Sequence, residues 1–189
     1  MPGKIDLVEL FKILSNQRRL EILMLLMDSC LTATEIADKL KIDISTAYRY
    51  LLQMQNFGLL KTIKSKDGDR FDLSTPHILR MLEEATSVLK SSKGQVAVGG
   101  RFTLYYHSAN DLPQPQKVLD LRGEVCPVPD LITKRELETM QPGETILVIV
   151  DYPISKERIP SYCRRLGYDL WLVDAGAEAK IYIRKPYQG

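Results

Sequence analysis

Cys126-Pro127-Val128-Pro129 leaves the chain little conformational freedom, because two prolines one residue apart fix φ twice and remove two backbone donors. Such a pair fits the first turn of a helix, where the missing N–H groups have no intrahelical partner. The amphipathic run Leu131-Ile132-x-x-Arg135-x-Leu137-x-x-Met140 supplies the helix that follows. Gly123, three residues upstream, supplies a turn, so a single cysteine is set just before a helix N-terminus. Unpaired N–H groups and the helix dipole there favour thiolate over thiol. Arg122, Lys134 and Arg135 are near enough in sequence to bias Cys126 the same way, although exposed charges contribute modestly. A buried structural cysteine is the commonest fate of a free thiol. A glycine and two prolines are nevertheless poor company for a core residue, and the pattern favours a reactive one.

Asp120-x-x-Gly123-x-x-Cys126-Pro127-x-Pro129 is followed by Pro142-Gly143-Glu144 before an apolar strand ending at Asp151. Ile159-Pro160-x-Tyr162-Cys163 and Gly167 come next. From about Lys117 to Lys185 this order resembles the TusA-like sulfur-carrier family. The resemblance implies that Cys126 carries sulfur as a persulfide, taken from a sulfur-donor protein. Tyr152 stands where a second acidic residue is common in that family, a departure that bears on partner recognition more than on the sulfur chemistry.

At 189 residues the chain is long enough for two small domains, each with its own core. Hydrophobic residues make up 44% and charged residues 26%, and no apolar run approaches the roughly 20 residues that span a bilayer, so a globular protein without membrane segments is expected. Met1-Pro-Gly-Lys-Ile-Asp does not read as a secretory signal, and a cytoplasmic protein is the expectation. Cys30, Cys126 and Cys163 are odd in number and far apart, which argues against a disulfide framework. With only His77 and His107 available, a zinc site or a histidine-based catalytic constellation is hard to build. No metal or cofactor is expected, nor a conventional hydrolase.

The net charge of +2 says little, but its distribution says more. Between Lys39 and Arg70, seven basic residues face three acidic ones, a local excess of +4. Upstream of it, Ser15-Asn16 separates a helix around Ile5 to Leu14 from a second over Gln17 to Asp28. Thr32, with Glu35 three residues on, then forms a capping box for a helix over Ala33 to Leu40. Lys41-Ile42-Asp43 turns the chain into a helix over Ile44 to Phe57, capped by Asp43 or Ser45. Two short helices joined by a three-residue turn make a helix-turn-helix. Gly58 ends the second, and strands at Leu59 to Ile63 and Arg70 to Leu73 flank Asp67-Gly68, a hairpin signal. A hairpin in that position is a wing.

Leu14 to Leu23, the spacing to Ser45-Thr46-Ala47-Tyr48-Arg49-Tyr50-Leu51, and Gly58-Leu59-Leu60 together resemble the ArsR-like winged-helix transcription regulators. On the second helix Ala47, Leu51 and Met54 should pack inward, leaving Ser45, Thr46, Tyr48, Arg49 and Gln53 for the groove of double-stranded DNA. Arg49 suits a bidentate contact to guanine, while Lys64, Lys66 and Arg70 on the wing suit phosphates. These charges are otherwise simply solvated. Metal-sensing members of the family place cysteines near the helix corresponding to Thr34 to Lys39; this chain has none there. Cys30, before that helix, reads as a half-buried small apolar residue.

Pro76 to Lys90 carries Ile78, Leu82, Ala85 and Leu89 at alternating four- and three-residue spacing, with Leu79 and Val88 beside them. The stripe suits a helix pairing with its twin in a homodimer. The alternative is packing on its own domain. Val96 to Tyr106 resembles a second hairpin, and His107 to Gln116 a linker. Beyond it, strands and helices alternate, implying one sheet backed by two helices. On that face Cys163, with Ile159, Tyr162 and Leu166, is expected in the core.

The fold class is thus α+β in two domains: a winged helix-turn-helix with a dimerisation helix over 1–92, a hairpin and linker over 93–116, and a two-layer α/β sandwich over 117–189. Two functions compete. One is a transcription regulator of sulfur-related genes that responds to a persulfide or related adduct on Cys126. The other is a sulfur carrier or transferase that uses the winged helix to dock proteins, and a purely structural C-terminal domain is the blandest option.

Overall fold

The computed structural model describes residues 6–66, 68–92 and 112–187. The chain divides into two units, Met1–Leu82 and Glu83–Gly189. Side-chain caps punctuate the first. Asp6 accepts from the Glu9 N–H at 2.8 Å and starts α1 (Leu7–Leu14), and Asn16 accepts from the Arg19 N–H at 3.1 Å and starts α2 (Gln17–Leu26). A two-residue strand, β1 (Leu31–Thr32), leads into α3 (Ala33–Leu40). The capping box expected there is present: the Glu35 N–H donates to Thr32 Oγ1 at 3.2 Å, and the Thr32 N–H donates to Glu35 Oε2 at 2.7 Å. Lys41, left-handed at φ 53°, turns the chain into α4 (Ile44–Asn56), whose N-cap Asp43 makes no side-chain capping bond.

Ala47, Leu51 and Met54 are fully buried on the inner face of α4, as their spacing requires. Gly58, at φ 84°, closes the helix in a conformation that side chains resist. The wing follows as β2 (Leu60–Ile63) and β3 (Arg70–Leu73), antiparallel with Leu60 opposite Leu73. β1 joins this sheet in the order β1-β3-β2, a pairing that two residues carry no periodicity to announce.

Glu35 also holds Arg70, whose Nη1 lies 3.0 Å from its carboxylate. Burial pushes the Glu35 pKa up, but the Thr32 backbone hydrogen bond and the Arg70 charge outweigh it and hold the carboxyl below its ordinary value. Replacing Glu35 with Ala should therefore cost the first unit about 1 kcal/mol at neutral pH, the usual size of a lost cap. A group with a depressed folded pKa contributes stability above its unfolded pKa and loses it as pH falls through the folded value. The deficit of Glu35→Ala relative to the natural chain should shrink in acid, below about pH 4, when urea unfolding is followed at both pH values.

After the wing runs α5 (Pro76–Ser92). Ile78, Leu79 and Leu82 are buried within the chain, so the first half of the proposed dimer stripe is already covered. Only Ala85 and Val88 among its described side chains are exposed, and Leu89 lies outside the described side chains. The physical reason is that a heptad-like stripe serves intramolecular packing equally well. The second hairpin at Val96 to Tyr106 lies outside the described residues, as does the first half of the linker. No helix among the described residues is long and apolar enough to cross a membrane.

The second unit runs β4 (Lys117–Asp120), α6 (Val128–Thr139), β5 (Thr145–Val150), α7 (Pro153–Arg165), β6 (Asp169–Asp174) and β7 (Ala179–Arg184). Its sheet order is β4-β5-β7-β6. β4 and β5 are parallel, joined by α6, and the other pairs are antiparallel. Register builds the core: Ile146 opposes Ile183, Val148 opposes Ile181 and Val150 opposes Ala179, all essentially without solvent contact. Each such isoleucine contributes about 1.5–3 kcal/mol by burial. Leu137, Met140, Ile159 and Cys163 pack onto these strands from the two helices.

Two helix faces differ from their sequence pattern. Leu131, 44% exposed, and Ile132, 37% exposed, face outward from α6, which instead buries Pro129, Asp130, Thr133 and Leu137. Leu137 and Met140 are held by the core, and counting back three or four residues at a time puts Thr133 and Asp130 beneath the helix start. Leu166, at the end of α7, is likewise exposed rather than part of the Cys163 face.

Candidate functional site

The loop between β4 and α6 is pinned twice where it leaves β4. Leu121 N–H donates to the Ile149 carbonyl at 2.9 Å, and Gly123 N–H donates to the Asp151 carboxylate at 3.0 Å. Gly123 sits at φ 77°, which a side chain would strain. Residues 122–125 are exposed, and the Cys126–Pro127 peptide bond is cis. Pro127 is the N-cap of α6 and Pro129 lies in its first turn, so the cysteine does precede a helix N-terminus. Its side chain points inward: Cys126 is only 2% exposed, yet it is absent from the apolar cluster that holds Cys163.

What surrounds the sulfur is ionic. Arg158 Nη1 lies 3.5 Å from Cys126 Sγ and 2.9 Å from Asp130 Oδ2, and Asp130 Oδ2 lies 3.7 Å from the same sulfur. Ser155 Oγ donates to Asp130 Oδ1 at 3.2 Å. Arg158 and Asp130 are each 1% exposed, so the pair is withdrawn from water as completely as the core. Buried ions of this kind survive only when paired and hydrogen-bonded.

The cations expected around the thiol are placed elsewhere. Arg122 is bound to Asp120 and to Glu178 at 3.1 Å, interactions that raise its pKa further and hold Asp120 below the ordinary aspartate value. Lys134 lies over the Tyr162 ring at 4.6 Å, and Arg135 is exposed. Sequence proximity does not deliver these charges to Cys126, because helix geometry turns positions 134 and 135 away from position 126. Cys163 is fully buried, and burial pushes its thiol up to about 12. That makes it a poor partner for exchange chemistry near neutral pH.

On α4, Ser45, Tyr48, Arg49 and Gln53 are exposed and Thr46 is half-buried, all on the face opposite Ala47, Leu51 and Met54. Gln53 Oε1 accepts from Arg19 Nη2 at 2.9 Å, and the guanidinium groups of Arg19 and Arg49 both lie against the Tyr50 ring. Arg19 thus joins a basic surface to which the sequence reading did not assign it. The Tyr48 ring meets Phe71 of the wing edge-on at 6.0 Å. Lys66 is exposed, and Lys64 pairs with Asp69 at 2.7 Å. Arg70 corrects the expectation of a phosphate contact: its side chain is 16% exposed and is spent on Glu35 and on the Cys30 carbonyl at 3.4 Å. Cys30 is fully, not half, buried.

Residues 117–185 match the family described as sulfurtransferase TusA. A Thermotoga maritima protein, described as a candidate sulfur carrier, is 52% identical over 73 residues, which are 38% of this chain and 92% of that protein. The chain belongs to the TusA family. Ahead of the TusA domain, residues 16–62 match the arsR family of bacterial regulatory proteins, and the N-terminal fold is a winged helix-turn-helix. Similar solved structures include reduced HlyU from Vibrio cholerae, 30% identical with a TM-score of 0.40, which covers 43% of this chain and 85% of its own. Another is the SirA-like protein from Desulfitobacterium hafniense, 24% identical with a TM-score of 0.34, covering 37% of this chain and 97% of its own.

Within the TusA domain, sequence reasoning finds the cysteine and misses its two ionic neighbours. Asp130 lies only four residues on, a helical spacing that would have brought it under the thiol had the apolar run at Leu131 not been read as the buried face. Arg158 is 32 residues away on α7, and the sequence carries no signal that it turns inward.

Proposed function

We propose that this protein is a sequence-specific DNA-binding regulator of sulfur-related genes, switched by a persulfide or related adduct on Cys126. The observation that carries this reading is the Cys126 sulfur lodged against Arg158 and Asp130, in a TusA domain that shares its chain with an ArsR-type helix-turn-helix. An added sulfur brings charge and bulk to the start of α6, the kind of local change that biases a larger equilibrium. The domains are assigned as 1–92, 93–116 and 117–189. DNA mobility shifts with and without inorganic polysulfide test the switch: operator affinity should change with polysulfide in the natural chain and not in Cys126→Ser. Equal responses would discard it.

The groove-facing set is Ser45, Thr46, Tyr48, Arg49 and Gln53, with Lys64 and Lys66 on the wing. Arg49→Ala should cost about 1–3 kcal/mol of specific binding, whereas Lys66→Ala should weaken all sequences and flatten the salt dependence. Fluorescence-anisotropy titrations at several salt concentrations separate the two effects.

A two-fold protein suits two DNA half-sites. A solved winged-helix DNA-binding domain from Mycobacterium bovis, 21% identical with a TM-score of 0.45, is described as homodimeric; it covers 51% of this chain and 97% of its own. Here α1 leaves Leu7, Val8 and Phe11 exposed, and α2 lines an open apolar groove with Leu20 and Met24. Pairing through these helices, with the far half of α5, replaces the stripe that α5 buries. Phe11→Glu should convert a dimer to monomer in sedimentation equilibrium.

The carrier alternative has one observation in its favour: the Thermotoga maritima relative spans essentially this domain alone. In that case Cys126 would accept sulfur from a donor protein and pass it on, and DNA affinity would not respond to polysulfide.

A further inference from the structure

Cys126, Asp130 and Arg158 form a buried group whose charge balance restricts what the thiol can do. With the thiol protonated, the Arg158 cation and the Asp130 anion cancel. Losing the thiol proton to solvent would leave a net negative charge at a site with 1–2% exposure, which burial opposes. Passing that proton to Asp130 costs no net charge: the carboxylate is neutralised, the sulfur becomes anionic, and Arg158 Nη1, 3.5 Å away, already faces the new anion. Asp130 Oδ2 is the carboxylate oxygen nearer the sulfur, at 3.7 Å, and Ser155 holds the other oxygen.

We propose that Asp130 is the proton acceptor that activates Cys126 and that Arg158 is the cation that holds the resulting thiolate. This rests on the reading of Cys126 as a sulfur acceptor. The donor class is a persulfide, R–S–SH. The Cys126 proton moves to Asp130, and the thiolate attacks the outer sulfur. The Cys126 S–S bond forms while the R–S bond breaks with its electron pair, and the departing R–S⁻ takes the proton back from Asp130. Products are Cys126–S–SH and R–SH; one sulfane sulfur moves and nothing is oxidised or reduced overall.

A second observation points to the same place. Asp130 and Arg158, with Thr133, Lys134, Ile159 and Tyr162, line a void about the size of one water molecule. Thr133 is 1% exposed and its Oγ1 has no hydrogen-bond partner there. A buried hydroxyl without a partner is costly, and a water in the void would accept its hydrogen bond beside the Asp130–Arg158 pair.

The test is the rate of Cys126 alkylation by iodoacetamide in the full-length protein, read by peptide mass spectrometry from about pH 6 to pH 8.5, the range where an ordinary thiol begins to ionise. The charged groups against the sulfur are Asp130 from α6 and Arg158 from α7; Lys134 and Tyr162, which engage each other, line the void beside that pair. In the natural chain, transfer within the group makes the rate nearly independent of pH. In Asp130→Asn the rate at neutral pH should fall on the order of 10²-fold and climb with pH, and Asp130→Glu should restore the flat profile. A merely structural role predicts the opposite sign, since loosening the site exposes the thiol and raises the rate at every pH. That result, or a profile unchanged in Asp130→Asn, would overturn the proposal.

Trp171 fluorescence establishes that each variant is folded under assay conditions. A paired Asp130→Leu, Arg158→Leu chain, with the buried ions replaced together, should stay folded and alkylate slowly. Incubation of the natural chain with inorganic polysulfide separates the two levels. No sulfur on Cys126, with a flat alkylation profile that depends on Asp130, rejects the sulfur-acceptor reading and leaves the proton transfer standing.

Discussion

Cys126→Ser should take up no sulfur from inorganic polysulfide, whereas the natural chain should gain one sulfur mass per molecule when the intact proteins are weighed. The expected effect is total because the hydroxyl is not the soft nucleophile that a thiolate is, and a sulfane sulfur has no other suitable acceptor. Cys30 and Cys163 are both fully buried, and Cys163 is held as a neutral thiol well above neutral pH. Serine is smaller than cysteine by little and its hydroxyl finds Asp130 and Arg158 as partners, so the fold should survive. Trp171, the only tryptophan and a residue of β6, reports this by its fluorescence. Equal sulfur gain by both proteins would move the chemistry to another thiol and remove the basis for any regulation through Cys126.

Arg158→Met should destabilise the TusA domain by about 3–5 kcal/mol, the cost of breaking a buried ion pair from one side. The methionine fills much of the arginine's volume, so the loss is electrostatic: Asp130 remains 1% exposed with Ser155 as a hydrogen-bond donor and has lost the Arg158 cation. Urea unfolding followed at Trp171 should show the midpoint shift. Replacing both members by leucine should recover most of the loss, because the desolvation penalty disappears with both charges. If Arg158→Met unfolds at the natural midpoint, the pair is not buried in solution as it is in the structure. The N-terminal unit should be unaffected, and a far-ultraviolet transition at the natural denaturant concentration checks that.

Local chemistry made much of the architecture legible. Thr32 and Glu35 announce a capping box because both hydrogen bonds lie within one turn, and the box is there. Gly58 marks the end of α4 because the left-handed conformation excludes most side chains. Alternating residues in β7 give its core face at once, Ala179, Ile181 and Ile183, since a strand has only two faces. Where several phases of one helix are apolar, the sequence misleads: Leu131 and Ile132 look like the inner face of α6 and are exposed, and Ile78, Leu79 and Leu82 look like a dimer seam and are buried within the chain. A period survives in the sequence, but its phase is set by what the helix packs against.

The two sites divide along the same line. By itself the sequence determined that Cys126 stands before a helix N-terminus and that Ser45, Tyr48, Arg49 and Gln53 share an outward face of α4, because both depend on residues within two helical turns. Only the tertiary structure decided what the thiol meets: not Arg122, Lys134 or Arg135 but Arg158, carried in from α7 to pair with Asp130. It also withdrew Arg70 from the wing surface to serve Glu35. Charges reach across a fold to whatever partner burial leaves them, and the distance along the chain does not record that partner.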